Sequence, residues 1–445
     1  MKKWIFIVLT VAFPFIIISA TGQLGNPYHA HDDWFLHLPE GAARYLWFAS
    51  TEGRWINYLW ALISFHLTPQ ITYIAFTCLY ALSVVVLTAK LMDNPIFPIA
   101  YLAFFFSPFI ADISQWSASQ IPAMAVLFLT ALALHRIPDP VKAAMAALLG
   151  QTASFLTFPG VAPVILLYFS YLHPTGRYLR FMIPFFLLFA SLLMALLIMS
   201  SANYLMNGYF GVEIASWRSP NPGSSFAALT DNLGSFVSNT LLSAKTRLDM
   251  LVLCALPILI GILDPAVRRW SLAISAAVVV IICYELAISL FTGVVVPNRA
   301  RYWPWIAPLF ICLMGLIKST SKIRHVYTLM TIIFAVVGCI YWVSFYLKSQ
   351  RAIDYYDSLV SIGKQLQSEA STEYIYYGDL LLSPDLTFGY HDSSAFIDYA
   401  RVKHGIIIQR CRREICRKIK SLDRKENVFL LDGNVVFKFL PRTKK

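Results

Sequence analysis

An all-α polytopic membrane bundle of about 11 crossing helices, followed by a small α/β domain at the carboxyl end, is the fold this sequence predicts. Three observations lead there. Of 445 residues, 58% are apolar, 15% aromatic and only 13% charged, where a soluble globular protein carries about 25% charged residues. Apolar runs of near-spanning length recur from residue 4 to residue 347. Basic clusters punctuate them at Lys90, Arg136 with Lys142, Arg177 with Arg180, Arg268 with Arg269, and Lys318 with Lys322 and Arg324, while the alternate loops 111–120 and 158–160 carry no Lys or Arg.

The runs place spans near 4–20, 70–91, 96–110, 121–136, 141–157, 159–172, 179–200, 249–264, 271–292, 302–317 and 326–347. The first follows Lys2-Lys3 and ends in small residues at Ala20, which is also the outline of a cleavable secretory signal. It is read as an uncleaved span, because cleavage would free the next loop from its anchor. Positive loops stay in the cytoplasm, so the amino terminus and the five basic clusters go inside. That sidedness requires residues 54–67 not to cross. They are about 14 where a span needs about 20, and they suit a surface or re-entrant helix ended by Thr68-Pro69.

The first loop 21–55, Asp112, the long loop 201–248, the segment 297–305 and the tail 348–445 then share the outer face. The bundle occupies 1–347 and the tail 348–445. In the tail, 350–367 suits a helix and 373–377 a strand, and 427–431 with 434–440 suits a hairpin across Asp432-Gly433. The net charge is +12, and residues 401–445 hold 14 Lys/Arg against 4 Asp/Glu. A basic tail on a membrane bundle fits anionic head groups or lipid phosphates rather than nucleic acid. Long domains cross largely regardless of charge, so the tail can still lie outside.

Five of the seven cysteines sit in apolar runs and act as small hydrophobes. Cys411 and Cys416 lie in the tail, and a bridge between residues five apart needs an irregular backbone, since on a helix they point in different directions. No zinc-type spacing occurs. Nor is there a Walker A loop, a Gly-x-Ser-x-Gly elbow or a His-Glu-x-x-His pair, which removes ATP hydrolysis and the corresponding hydrolase classes.

The chemistry-bearing residues begin with His31-Asp32-Asp33-Trp34. Carboxylates are costly near hydrocarbon, so a pair at its edge needs a solvated loop or a task. A carboxylate can take the proton of an attacking hydroxyl. Equally, Asp32 or Asp33 can cap a helix over 34–49. Sequence neighbours point in different directions, so one is expected to face the reaction while the other caps a helix, pairs with an arginine or holds a metal. His29, His31 and His37 crowd the pair and admit a divalent metal, although their spacing matches no metal motif and solvated histidines are the default.

Gly53-Arg54-Trp55 stands where the chain returns to the bilayer. Its arginine can grip a phosphate through two hydrogen bonds, or with Trp55 simply anchor at head-group depth. Arg299 and Arg301, within Pro297-Asn298-Arg299-Ala300-Arg301-Tyr302-Trp303-Pro304, run against the positive-inside rule, as residues that hold a departing lipid phosphate would. Glu285 lies inside a span, a position that is functional by default. Asp112 is a further carboxylate at the outer end of its span. The tryptophans Trp34, Trp55, Trp116, Trp217, Trp303 and Trp305 suit an interfacial belt.

His31-Asp32-Asp33-Trp34 followed by Glu52-Gly53-Arg54-Trp55 resembles the first outer loop of GT-C membrane glycosyltransferases, and in particular the bacterial branch that glucosylates O-antigen. Arg301-Tyr302-Trp303-Pro304 is similar to the Arg-Tyr-aromatic-Pro stretch before a late span in that superfamily. The resemblance implies a GT-C-like bundle in a bacterial inner membrane, with a cytoplasmic amino terminus and a periplasmic tail. It also implies transfer of a hexose, glucose first, from a polyprenyl-phosphate donor to a glycan such as the O-antigen of lipopolysaccharide, with inversion. Asp32 or Asp33 becomes the catalytic carboxylate, and Arg54, Arg299 and Arg301 become donor-phosphate contacts. His31, Trp34, Asp112 and Glu285 are additional candidates, and no cofactor beyond a divalent metal is suggested. The alternatives are a flippase for lipid-linked oligosaccharide, an O-antigen polymerase or ligase, and a non-enzymatic subunit presenting the basic tail.

Overall fold

The structure, a computed structural model, describes residues 2–176, 179–246, 248–297, 300–369, 373–378, 393–422 and 426–439. From the amino end come α1 (Lys2–Ala20), α2 (His31–Trp34), α3 (Gly41–Glu52), α4 (Trp55–Ser64), α5 (Pro69–Leu87), α6 (Phe97–Phe105), α7 (Pro108–Ile113) and α8 (Ser117–Arg136). Next are α9 (Pro140–Phe155), α10 (Val161–Leu172), α11 (Leu179–Asn207), α12 (Phe226–Thr246), α13 (Leu248–Leu263), α14 (Arg268–Thr292), α15 (Trp303–Lys318) and α16 (Ser321–Glu369). The tail adds β1 (Glu373–Tyr377), α17 (Ser393–His404), β2 (Ile408–Arg410), α18 (Arg413–Ser421), β3 (Val428–Leu431) and β4 (Asn434–Lys438).

A helix occupies each position read as a span, but the described residues hold five stretches long and apolar enough to cross a membrane: Pro69–Leu87, Pro108–Arg136, Leu179–Asn207, Arg268–Thr292 and Ser321–Gln367. Trp4–Ala20, Val161–Leu172, Val252–Leu263 and Trp303–Lys318 are apolar but shorter. Many large apolar side chains on these helices face outward, among them Phe186, Leu193, Leu197, Leu259 and Ile340. An apolar surface of this kind is what lipid would cover. The segment 54–67 contains the ten-residue helix α4, Trp55–Ser64.

Local chemistry explains the starts of two helices. Thr68 Oγ1 accepts from Ile71 N at 3.3 Å with Pro69 at the first helical position. Asp139 Oδ1 accepts from Val141 N at 2.9 Å and Lys142 N at 3.0 Å ahead of Pro140. The predicted span 96–110 is instead broken between α6 and α7, where Pro108 removes the N–H a continuing helix needs. Carbonyls on both sides of the break are met by aromatic donors from three other helices. Trp305 Nε1 donates to Ala103 O at 2.9 Å, Tyr80 Oη to Phe104 O at 2.7 Å, and Trp342 Nε1 to Ser107 O at 2.7 Å. Orphan carbonyls buried without such partners would be costly. The break is thereby the point where α5, α15 and α16 are stitched together.

Three further expectations need correction. The long loop 201–248 contains helix α12, and α11 runs on to Asn207. Asn232 of α12 donates to Asn221 O at 2.7 Å and Leu290 O at 2.9 Å, so contact with α14 supports a helix that its Ser, Thr and Asn residues disfavour. The span 326–347 and the helix 350–367 are one unbroken 49-residue helix, α16. The helix expected over 34–49 is split, with α3 starting only at Gly41. A Cβ on Gly41 would overlap the Phe35 carbonyl.

The tail is a four-stranded sheet of order β2-β1-β4-β3, with β1 parallel to both neighbours and β3 antiparallel to β4. Asp432 and Gly433 turn the hairpin with φ of 49° and 77°, the positive pair that a two-residue hairpin favours. Alternation along the strands sends Tyr374, Val428, Val435 and Phe437 to a face covered by α16 and α17, and Ile375, Phe429 and Val436 to the face covered by α18. Cys411 and Cys416 form a disulfide with Cα atoms 5.4 Å apart. Cys411 precedes α18 and Cys416 lies within it, which supplies the irregular backbone that the spacing requires.

Replacing Gly41 by Ala is expected to lower stability by about 1–3 kcal/mol through overpacking against backbone. Gly234→Ala, on the open face of α12, should be neutral or raise stability by about 1 kcal/mol through helix propensity. Thermal unfolding of the detergent-solubilised full chain, variant by variant, checks both.

Candidate functional site

The segment before α2 is extended, and Ala30 N donates to Gln115 O at 2.7 Å, which lays the acidic loop against the start of α8. There the Asp33 carboxylate is fully buried. Its Oδ1 accepts from Ser119 N at 2.7 Å, and its Oδ2 from Ala118 N at 2.7 Å and His29 Nδ1 at 2.9 Å. Asp33 therefore caps a helix, but not the one that follows it. It caps α8 from 85 residues away, where the unpaired N–H groups and the positive end of the helix dipole favour an anion. Both of its oxygens are engaged inside the fold, so Asp33 takes the capping role expected of one member of the pair. Asp32 shares the same short helix, and its side chain, like that of His31, lies outside the described residues.

The α8 end is further fixed by its own sequence. Pro122 cannot donate to the carbonyl of Ala118, and Trp60 Nε1 of α4 donates to it instead at 2.8 Å. Asn57 Nδ2, one turn earlier on α4, donates to Ser119 O at 3.2 Å. The acidic loop and α4 are thus held to one helix terminus.

Arg54 follows Gly53, whose φ of 74° ends α3 in the left-handed region. Its Nη2 lies 2.6 Å from Glu52 Oε2. Arg218, on a short 3-10 turn, places Nη2 3.0 Å from the same oxygen and donates from Nε to Oε1 at 3.3 Å. The Glu52 side chain is 5% exposed, and the two arginines are 22% and 20% exposed. One nearly closed carboxylate thus holds two partly open guanidiniums. Glu52 and Arg218 were not among the candidates above. A usable signal existed in Trp217-Arg218, the one basic residue between Arg180 and Lys245.

Arg301 Nε lies 2.9 Å from Glu285 Oε2, and Trp303 Nε1 donates to Glu285 Oε1 at 2.8 Å. Glu285 is consequently paired within the fold, and Arg301 is mostly buried beside it. Arg299 lies outside the described residues. Asp112 accepts from Tyr341 Oη at 2.8 Å, tying α7 to α16. Trp34 is fully buried and packs edge-on against His29 and Tyr399, with ring centroids 4.9 and 5.4 Å away, so it is a core residue.

These groups gather at one end of the long helices. Ile56 N donates to Leu156 O at 3.2 Å, while on the same 156–160 turn Phe158 packs on Tyr302 and Gly160 lies close against Ala300. That turn bridges the chain beside Arg54 to the chain beside Arg301. Asn221 N donates to Thr292 O at 3.0 Å, which brings the Arg218 loop to the end of α14. The tail joins through Tyr28 against Tyr356, Trp34 against Tyr399, and an Arg401–Glu40 ion pair. At the opposite end sit several of the basic clusters. Lys90 lies 4.6 Å from the Tyr171 ring, Arg269 donates to Pro174 O at 2.7 Å, and the buried Asp264 accepts from Ser319.

Among the described residues no group of three or more His, Cys, Asp and Glu side chains is placed to hold a metal ion. His37 donates from Nδ1 to Leu67 O at 3.0 Å. Burial, reinforced by the neighbouring His29, lowers its pKa to about 4. Unfolded, the same imidazole titrates near 6.5. The unfolded chain therefore binds a proton between those values that the folded chain does not, and stability should fall as the pH drops from 6.5 toward 4, by about 3 kcal/mol in all. Denaturant unfolding across that window should show this slope, and His37→Gln should flatten it.

Comparison of the chain with known protein families, characterised proteins and solved structures found no match, so its function is argued from its own residues.

Proposed function

We propose that this protein is a membrane glycosyltransferase that moves a hexose from a polyprenyl-phosphate donor to a glycan at one membrane face. The observation that carries the reading is the gathering, at one end of the apolar helices, of the acidic loop, the Arg54–Glu52–Arg218 cluster, the Glu285–Arg301 pair and the tail. An enzyme working on a lipid-borne substrate needs its chemistry at one surface, whereas transporters place polar groups near mid-bilayer. In this reading the four shorter apolar helices also cross, as do α6 and α9, giving about eleven spans in keeping with the charge pattern. The Cys411–Cys416 disulfide supports an oxidising side for the tail and the site it touches in this reading.

In the reaction, the acceptor hydroxyl oxygen attacks the anomeric carbon while the bond from that carbon to the donor phosphate oxygen breaks. Asp32 takes the hydroxyl proton, and Asp33 holds the loop by capping α8. The departing lipid phosphate keeps the bonding electron pair, and Arg54 and Arg218 stabilise its charge. Arg301, paired with Glu285, and Arg299 add positive charge from one segment. The transition state has oxocarbenium character and the anomeric configuration inverts. Glucose transferred to O-antigen in a bacterial inner membrane is the specific case the motifs favour.

Mass spectrometry of surface glycan tests this in cells carrying wild type, Asp32→Asn, Asp33→Asn or no copy. Asp32→Asn should cut hexose transfer by at least about 10²-fold at unchanged protein level, whereas Asp33→Asn should chiefly reduce the amount of folded protein. Arg218→Ala should raise the KM for donor lipid. Full hexose addition by Asp32→Asn overturns its role as base, and a build-up of lipid-linked glycan with no single-sugar difference would replace the transferase by a flippase.

A further inference from the structure

Three ring nitrogens inside the acidic loop have no partner among the described residues. His29 Nε2, His37 Nε2 and Trp34 Nε1 are each buried and unbonded, although an unmatched buried polar atom costs about 1–3 kcal/mol. The rings touch one another, with centroids 4.9 Å apart for His29 and Trp34, 5.5 Å for His29 and His37, and 6.3 Å for Trp34 and His37. So many open valences in one small cluster call for a common ligand.

The tautomers say which ligand. His29 Nδ1 faces a carboxylate oxygen of Asp33 at 2.9 Å, and His37 Nδ1 faces the Leu67 carbonyl at 3.0 Å. Both of those partners only accept, so both Nδ1 atoms carry the hydrogen, and in the neutral form of each ring Nε2 carries a lone pair. Two lone pairs cannot bond to each other, but they can share a Lewis acid. We propose that His29 and His37 bind one divalent transition ion of the zinc class through their Nε2 atoms.

Two features of the surroundings fit. A ligating histidine ordinarily donates its other ring N–H to a carboxylate or a backbone carbonyl, and Asp33 and Leu67 supply one of each. Nitrogens at about 2.0–2.1 Å from a tetrahedral ion place two imidazole centroids roughly 5.2 Å apart, close to the 5.5 Å observed. Trp34 Nε1–H, which can only donate, then serves an ion-bound water. Imidazole ligation selects zinc-like ions over magnesium or calcium, which take oxygen. The ion would clamp the turn bearing the acidic pair between α8 and the Leu67 carbonyl. This site does not depend on the transferase reading, because the lone pairs need a ligand whatever reaction the protein performs.

The test uses the full chain in detergent, stripped with a chelator and reloaded with Zn²⁺ or Co²⁺. Wild type should retain about one ion per chain, as the number of Nε2 pairs requires. X-ray absorption of the zinc form should show two imidazoles near 2.0 Å, and the cobalt form should show the intense visible bands of a four-coordinate ion. His29→Gln and His37→Gln should each weaken retention at least about tenfold, while His66→Gln, at an exposed ring, should retain the ion as wild type does. No retained ion in wild type, or undiminished retention in the double variant, overturns the site. Should the variants fail to fold, X-ray absorption of the wild-type zinc form decides alone, and fewer than two imidazoles around the ion overturns the proposal.

Discussion

The bond from Asp33 to the amino end of α8 organises the polar end of this molecule. A buried carboxylate is tolerated only where its charge is answered, and here two backbone N–H groups, a helix dipole and one imidazole answer it. Because the helix lacks a cap of its own, loop and helix each complete the other. Pro122 extends the same economy by leaving the Ala118 carbonyl to Trp60, so a third element docks on the same turn. Residues placed near this junction gain fixed positions without needing a regular element of their own.

The arginine clusters follow a related rule. A buried carboxylate lowers the cost of bringing guanidinium groups close together, but it also consumes part of their charge. Glu285 with Arg301 is close to a neutral pair, held further by Trp303. Glu52 instead faces two arginines whose guanidiniums stay partly open. The two glutamates therefore make different surroundings from similar parts: one joins a late helix to its preceding loop, and the other draws two arginines remote in sequence together.

What the sequence revealed was what local chemistry decides. Thr68-Pro69 and Asp139-Pro140 mark helix starts because cap and proline act within one turn. Asp432-Gly433 marks the hairpin because the turn itself demands positive φ. The acidic pair and Arg54 stood out as charges in an apolar chain. The rest was hidden because its partners are remote in sequence. Nothing near Asp33 announces that it caps α8, nothing near Ser107 shows that Trp342 will serve its carbonyl, and Arg218 acquires meaning only beside Glu52. The polar residues of α12 read as a loop until Asn232 meets α14, and only the folded tail shows that Cys411 and Cys416 meet.

One feature of α16 reaches beyond packing. Its 49 residues contain no proline, and at about 1.5 Å each they form a rod of roughly 74 Å, more than twice the hydrocarbon thickness of about 30 Å. The same rod carries Trp342 into the α6–α7 break and Tyr356 onto Tyr28 and Tyr399. It therefore acts as a mast that sets both the height and the bearing of the tail. Removing a single residue between those two anchorages would turn the sheet by about 100° about the helix axis and swing α17 away from α2. The spacing along this helix can be altered without misaligning the tail only in steps close to whole turns, so its length functions as a gauge rather than as a simple tether.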